Sequence, residues 1–288
     1  MLDGISLNVD EGEIFVLVGP PQSGKTLLAK TMINLVKKTD GKIKLGGRSY
    51  KDTLYRTNEV GYVLQEQNFD SKKNAFKSIS ESAKLSGKPV TRARIKNMIN
   101  MMGLGSLKNV NVGKFGDKEI ARLKIACALV TQPKILVLDS PFTNLCEDDA
   151  RAVRVILKNI ARDLGTAIII MNPTLTGVEE ICDKIGIIAN GTIITIKSFD
   201  EMVQPEQGKA KLGIITPSPN FAARIIEKEF KMEAYLMGEK VIVETERSNA
   251  LKIYDELTKK HGIEIIKIEE IKKSVQEEYL KILQARGN

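Results

Sequence analysis

Residues 14–30, IFVLVGPPQSGKTLLAK, run from a short apolar stretch through Gly19-x4-Gly24-Lys25-Thr26 into a helix-like segment. A strand, a glycine-bearing turn and a helix start in that order bring backbone N–H groups around an anion, and the helix dipole turns its positive end to the same point. Gly19, Gln22, Ser23 and Gly24 form the cradle. Lys25 is the side chain that reaches the outer phosphates of a triphosphate, and Thr26 is the hydroxyl offered to Mg2+. Pro20 and Pro21 remove two amide donors, which leaves the remaining donors closer to Lys25.

At 288 residues the chain fits one large and one small domain, and 42% hydrophobic content supplies a core for each. The net charge of +8 suits an anionic partner, but basic and acidic residues interleave along the sequence and read as a solvated surface. No nucleic-acid partner is expected. The start MLDGISLNVDEGE has neither the basic opening nor the long apolar stretch of a signal peptide, and no apolar run is long enough to span a bilayer. Cys127, Cys146 and Cys182 have neither disulfide nor metal spacing, which points to a reducing cytoplasm. His261 is the only histidine, so histidine bases and histidine metal sites are nearly excluded.

The hydrophobic pattern predicts strands at 5–9, 13–18, 42–45 and 60–64, a helical stretch at about 76–102 broken at Gly87-Lys88-Pro89, and a helix at 121–130. The continuous apolar runs 134–138 and 167–171, with a helix at 148–164 between them, make a parallel βαβ unit. Strands at 185–189 and 192–196 flank Asn190-Gly191, a hairpin turn. A linker is expected at Gln204–Gly208. Beyond it come a strand at 211–216, a helix at 220–230, strands at 232–236 and 240–245 around Gly238, a helix at 249–260 and a strand at 263–268, the ferredoxin-like βαββαβ order. A last helix is expected at 275–284. The expected architecture is α/β: a P-loop nucleotide-binding core over 1–204, with a helical subdomain at about 70–130, and an α+β ferredoxin-like domain over 209–288.

Asp139 ends the apolar run IleLeuValLeu at 135–138. In a P-loop protein such an Asp holds Mg2+ from the neighbouring strand end. The stretch Gln132–Pro141, with Ile125–Leu129 upstream, Asp10–Phe15 before the loop, Gly61-Tyr62-Val63-Leu64-Gln65, and Val178–Lys184 with Ile187–Gly191, resembles the ATP-binding subunits of ABC transporters over residues 1–200. The tail is similar to those of drug, lantibiotic and bacitracin-type export ATPases. The resemblance implies ATP and Mg2+ as ligands, with Thr26, Gln65 and Asp139 around the metal. It also implies a permease partner, pairing with itself or a second ATPase subunit, and a peripheral place on the inner face of the cell membrane. Gln65 would sense Mg2+ and contact the membrane subunit. The family's adenine-stacking aromatic lies upstream of its first strand, and almost nothing precedes Leu2 here, so a partial loss of base stacking is expected, which leaves nucleotide affinity and adenine selectivity open.

Several positions depart from the family. Its Leu-Ser-Gly-Gly-Gln signature falls on Phe115, Gly116, Asp117, Lys118 and Glu119. That removes the hydroxyl and places the Asp117 carboxylate at the helix end where a γ-phosphate docks, a like-charge approach costing on the order of several kcal/mol. Asp117 is expected to cap that helix, and Lys118 to offset part of its charge. Ser140 stands at the place of the catalytic glutamate, and Pro173 at that of the histidine. Cys146 stands at the place of the D-loop aspartate. Ser140 has no histidine to activate it as a base. The expectation is an exporter subunit that binds ATP and turns it over weakly or not at all. An ATP-sensing regulator outside transport is the alternative, and a P-loop small-molecule kinase ranks below both.

Overall fold

Aliphatic and β-branched residues set the first layer. The computed structural model describes residues 1–45, 47–49, 59–204, 208–271 and 274–284, and divides into two units, residues 1–199 and 200–288. In the first unit β1 (Ile14–Val18) leads through the loop into α1 (Lys25–Met32). A small antiparallel pair, β2 (Lys44–Leu45) and β3 (Arg48–Ser49), stands apart from the main sheet. Then come β4 (Val60–Val63), α2 (Ala75–Leu85), α3 (Arg92–Met101) and α4 (Asp117–Leu129). They are followed by β5 (Ile135–Asp139), α5 (Glu147–Leu164), β6 (Ala167–Asn172), β7 (Lys184–Ala189) and β8 (Thr192–Ser198).

The six-stranded sheet has the order β4-β5-β6-β1-β7-β8 and is parallel except for the final β7–β8 hairpin. Every residue of β1 and β6 is buried, as expected for strands covered on both faces, and each such large side chain contributes roughly 1.5–3 kcal/mol. The hairpin turns on Asn190 and Gly191, both with positive φ (50° and 79°), the backbone of a type I′ turn.

Two expectations for this unit are corrected. Residues 5–9 form no strand; Ile5, Leu7 and Val9 lie half-buried against the cluster around Phe15 and Leu17, so their alternation reflects one-sided burial without ladder pairing. Asp139 does not lie on the strand next to β1 either. β6 is inserted between β1 and β5, pairing Val18 with Asn172 and Asp139 with Met171.

The second unit contains β9 (Lys209–Ile215), α6 (Pro219–Phe230), β10 (Ala234–Met237), β11 (Lys240–Glu246), α7 (Ala250–Asp255, continuing as a π turn to Lys260), β12 (Lys267–Glu270) and α8 (Val275–Gln284). Its antiparallel sheet has the order β10-β11-β9-β12, the ferredoxin-like arrangement. The strand expected at 263–268 begins only at Lys267. Gly262, at φ 64°, ends the preceding helix, and Ile263 turns into the core beneath it. The second strand is likewise shifted, to Ala234–Met237. Most of the expected Gln204–Gly208 linker lies outside the described residues.

On this sheet Glu269 is flanked by Lys240 first and by Lys267, which hold its carboxyl down at about 2, against an ordinary 4.5. A depressed carboxyl stabilises the fold above its unfolded pKa, and that contribution is lost as pH falls through the folded value. The thermal midpoint of the second unit is therefore expected to drop between about pH 4.5 and 2. Glu269→Gln should flatten that part of the profile, read by circular dichroism.

Candidate nucleotide site

The loop after β1 is held from several sides. Gln22 (φ 64°) and Gly24 (φ 106°) take left-handed backbone, and Gly24 precedes the first turn of α1. Gly19 allows a close approach: a Cβ there would lie 2.0 Å from the carbonyl oxygen of Ile188 on β7. Gly19→Ala should therefore displace the loop or strand and cost about 1–3 kcal/mol, seen as a lower denaturant midpoint. Ser23 is buried, and its carbonyl accepts the N–H of Gly191 at 2.9 Å. The Gly191 carbonyl in turn accepts the N–H of Asp3 at 2.9 Å.

Lys25 is 8% exposed. Its ammonium donates to Gly19 O at 2.7 Å, Pro20 O at 2.9 Å and Ser23 Oγ at 3.1 Å, so the loop's own carbonyls surround the charge. Burial pushes its pKa down, and the charge of Asp139 opposes that. Thr26 is exposed at the first turn of α1.

Asp139 closes β5 at 1% exposure. Its Oδ2 is buried with no hydrogen-bond partner among the described residues, while its Oδ1 lies 3.4 Å from Ser140 Oγ. A buried carboxylate oxygen with no donor is costly unless a cation or water meets it, so the site's chemistry fits Mg2+. Ser140 itself has φ 52° and donates its N–H to Met171 O at 2.8 Å. Pro173 is exposed just past β6, where Asn172 is buried and donates to Thr174 O at 2.7 Å. Gln65 is exposed on the turn after β4, and Lys124 of α4 donates to its carbonyl at 3.0 Å. Lys124 carries no obvious sequence signal for that role.

The signature region differs from expectation in two ways. Gly116, not Asp117, is the N-cap of α4; its N–H donates to Glu119 Oε2 at 3.0 Å, and Asp117 is the first helical residue. Lys118 turns away to Asp149 on α5, at 2.9 Å, and that ion pair, more than any nearby charge, raises its pKa. Phe115 is half-buried.

Arg154, not anticipated, is 2% exposed yet pairs with Glu147 and lies under Gly177. It does have a sequence signal: it breaks the apolar stripe Ala150–Val153–Leu157–Ile160–Ala161 of α5.

Comparison with known proteins agrees with this arrangement. Residues 2–143 match the ABC transporter family model. The lantibiotic transport ATP-binding protein SrtF of Streptococcus pyogenes is 30% identical over 200 residues, covering 69% of this chain and 85% of that protein. The bacitracin transport ATP-binding protein BcrA of Enterococcus faecalis is 24% identical over 288 residues, covering all of this chain and 92% of that one. Among solved structures, a dimeric ATP-binding cassette bound to ADP and phosphate superposes with a TM-score of 0.62 at 20% identity, covering 69% of this chain and 90% of that one. The fold is that of an ATP-binding cassette, and the chain belongs to the ATP-binding subunits of ABC transporters.

Proposed function

We propose that this subunit serves an exporter of antibiotic peptides or similar drugs as an ATP-operated clamp whose cutting step is slow or absent. The loop Gly19–Gly24 and Lys25 would hold the phosphates. Thr26, Gln65 and Asp139 would hold Mg2+, directly or through water; the ion, when bound, neutralises phosphate charge. The observation that carries this reading is the unpartnered Asp139 Oδ2 at the same strand-end layer as the Lys25 loop.

Ser140 supplies no base to a water, Pro173 offers neither charge nor donor, and Asp117 adds negative charge to the first turn of α4. In a homodimer both composite sites would lack all three functions, and in a heterodimer each site would lack at least one. Closure of the pair would then depend on binding, and opening on nucleotide release or on a competent partner subunit.

The permease would seat in the groove of about 350 Å3 beside Tyr62, Gln67 and Phe69, between β4 and α2. The domains proposed for these tasks are the ATP-binding domain at 1–204 and the accessory domain at 209–288. The test is a paired measurement of ATP–Mg2+ affinity and phosphate release, by the protein alone and with the products of its neighbouring genes. Micromolar to millimolar binding with turnover near background is expected; ordinary ATPase turnover by the isolated chain would refute the slow-cutting reading.

A further inference from the structure

The interleaving of charges along the sequence hides a regional imbalance. Between residues 70 and 116 there are ten lysines and arginines against two acids, Asp70 and Glu81. The rest of the chain balances, so a charge equal to the whole net +8 sits on residues 70–116, within the helical subdomain. Both acids are already engaged: Lys73 pairs with Asp70 at 3.4 Å and with Glu81 at 2.8 Å.

Of the nine remaining cations, Lys72, Lys77, Lys108 and Lys114 are exposed along the subdomain, and the five nearest the α2–α3 turn in sequence fall into two sets. Lys88 donates to Thr131 O at 2.7 Å, and Arg94 donates to Val130 O at 2.5 Å. These two tie the α2–α3 corner onto the free carbonyls at the end of α4, where cations are favoured. Lys84, Arg92 and Lys96 form the second set. All three are exposed, and no acid among the described residues pairs with them. Arg92 and Lys96 are four apart on α3 and share one face. Lys84 lies in the last turn of α2 beside Leu85, which is 88% exposed. The corner thus offers exposed, unopposed cations on two successive helices and one bare aliphatic side chain, Leu85, at the rim of the groove assigned above to the permease.

We infer that this α2–α3 corner is a membrane-surface contact, in which Lys84, Arg92 and Lys96 meet anionic lipid headgroups and Leu85 enters the interface. Clustered cations beside a membrane protein gain on the order of a fivefold increase in partition for each charge, and an apolar side chain adds to it. The contact rests on the permease-docked subunit proposed above and would hold it at the bilayer independently of nucleotide.

Flotation of the full chain with vesicles tests this. Phosphatidylcholine vesicles are compared with an equimolar phosphatidylcholine–phosphatidylglycerol mixture, without permease and without ATP. Binding to the anionic vesicles only is expected, weakening with salt. The triple variant Lys84→Gln/Arg92→Gln/Lys96→Gln should lose roughly 100-fold in partition, with ATP binding unchanged. A control triple, Lys228→Gln/Lys252→Gln/Lys259→Gln, removes the same charge from the second unit and should bind as the parent does.

Equal loss in the control, equal binding to neutral vesicles, no binding to either, or displacement from vesicles by a ribonucleic acid duplex at the same salt would overturn the contact. Failure here with ATP binding and permease pull-down intact leaves the clamp reading standing. Loss of ATP binding in the parent protein would strike that reading and leave the vesicle result untouched.

Discussion

Lys25→Ala should abolish measurable ATP binding. The ammonium is the only buried cation within reach of the loop carbonyls Gly19 O and Pro20 O among the described residues, and it is already desolvated before any phosphate arrives. Removing one partner of a desolvated charge pair costs about 2–5 kcal/mol, which is roughly 30- to several-thousand-fold in affinity. The same change removes three hydrogen bonds that shape the loop, so a second variant is needed to separate the two effects. Lys25→Arg keeps the charge and donors for the loop carbonyls but replaces a compact point charge with a planar fork that meets the phosphates differently. It should retain the thermal midpoint while binding ATP weakly. Titration calorimetry with ATP–Mg2+ and circular dichroism on each protein give the two readings. An alanine variant that holds ATP as the parent does would remove the basis for the site.

The second large effect concerns turnover. The parent chain should release phosphate at a rate near background. A variant that restores the family's residues together, Ser140→Glu with Pro173→His and with Gly116→Ser/Asp117→Gly, should gain about 10²- to 10⁴-fold, the usual contribution of a positioned base. The backbone does not oppose Glu at position 140, since the left-handed φ of 52° is already borne by a serine there. Ser140→Glu alone is expected to gain little, because the facing signature still carries Asp117. A large gain from that single change would show that the signature in this chain works as it stands. No gain from the combined variant would show that the loss lies elsewhere, in closure of the pair.

How much of this was legible in the sequence follows from what each signal reports. The runs at 134–138 and 167–171 were readable because strands covered on both faces must be apolar throughout, and they became β5 and β6. The loop was readable because its spacing is a local requirement of backbone geometry. Residues 5–9 misled because alternation records which side chains are buried, not which backbone groups pair. The insertion of β6 between β1 and β5 was not legible, since strand order is decided by packing between distant segments. The same holds for Lys88 and Arg94, whose acceptors lie 43 and 36 residues further along the chain. In the candidate site the strand-end position of Asp139 was legible, but its strand neighbour was not. Arg154 could have been suspected from the one charge in an otherwise apolar helical stripe.

The hydrogen-bonded succession Ser23 O, Gly191 N–H, Gly191 O, Asp3 N–H makes the turn of the β7–β8 hairpin a mechanical extension of the Lys25 loop, the candidate phosphate cradle. Any rearrangement of the cradle backbone must drag or break that relay. A fluorophore placed beside residue 3 would thus report on occupancy from the back of the site, and a bulky fusion at the same point would push on the cradle from behind.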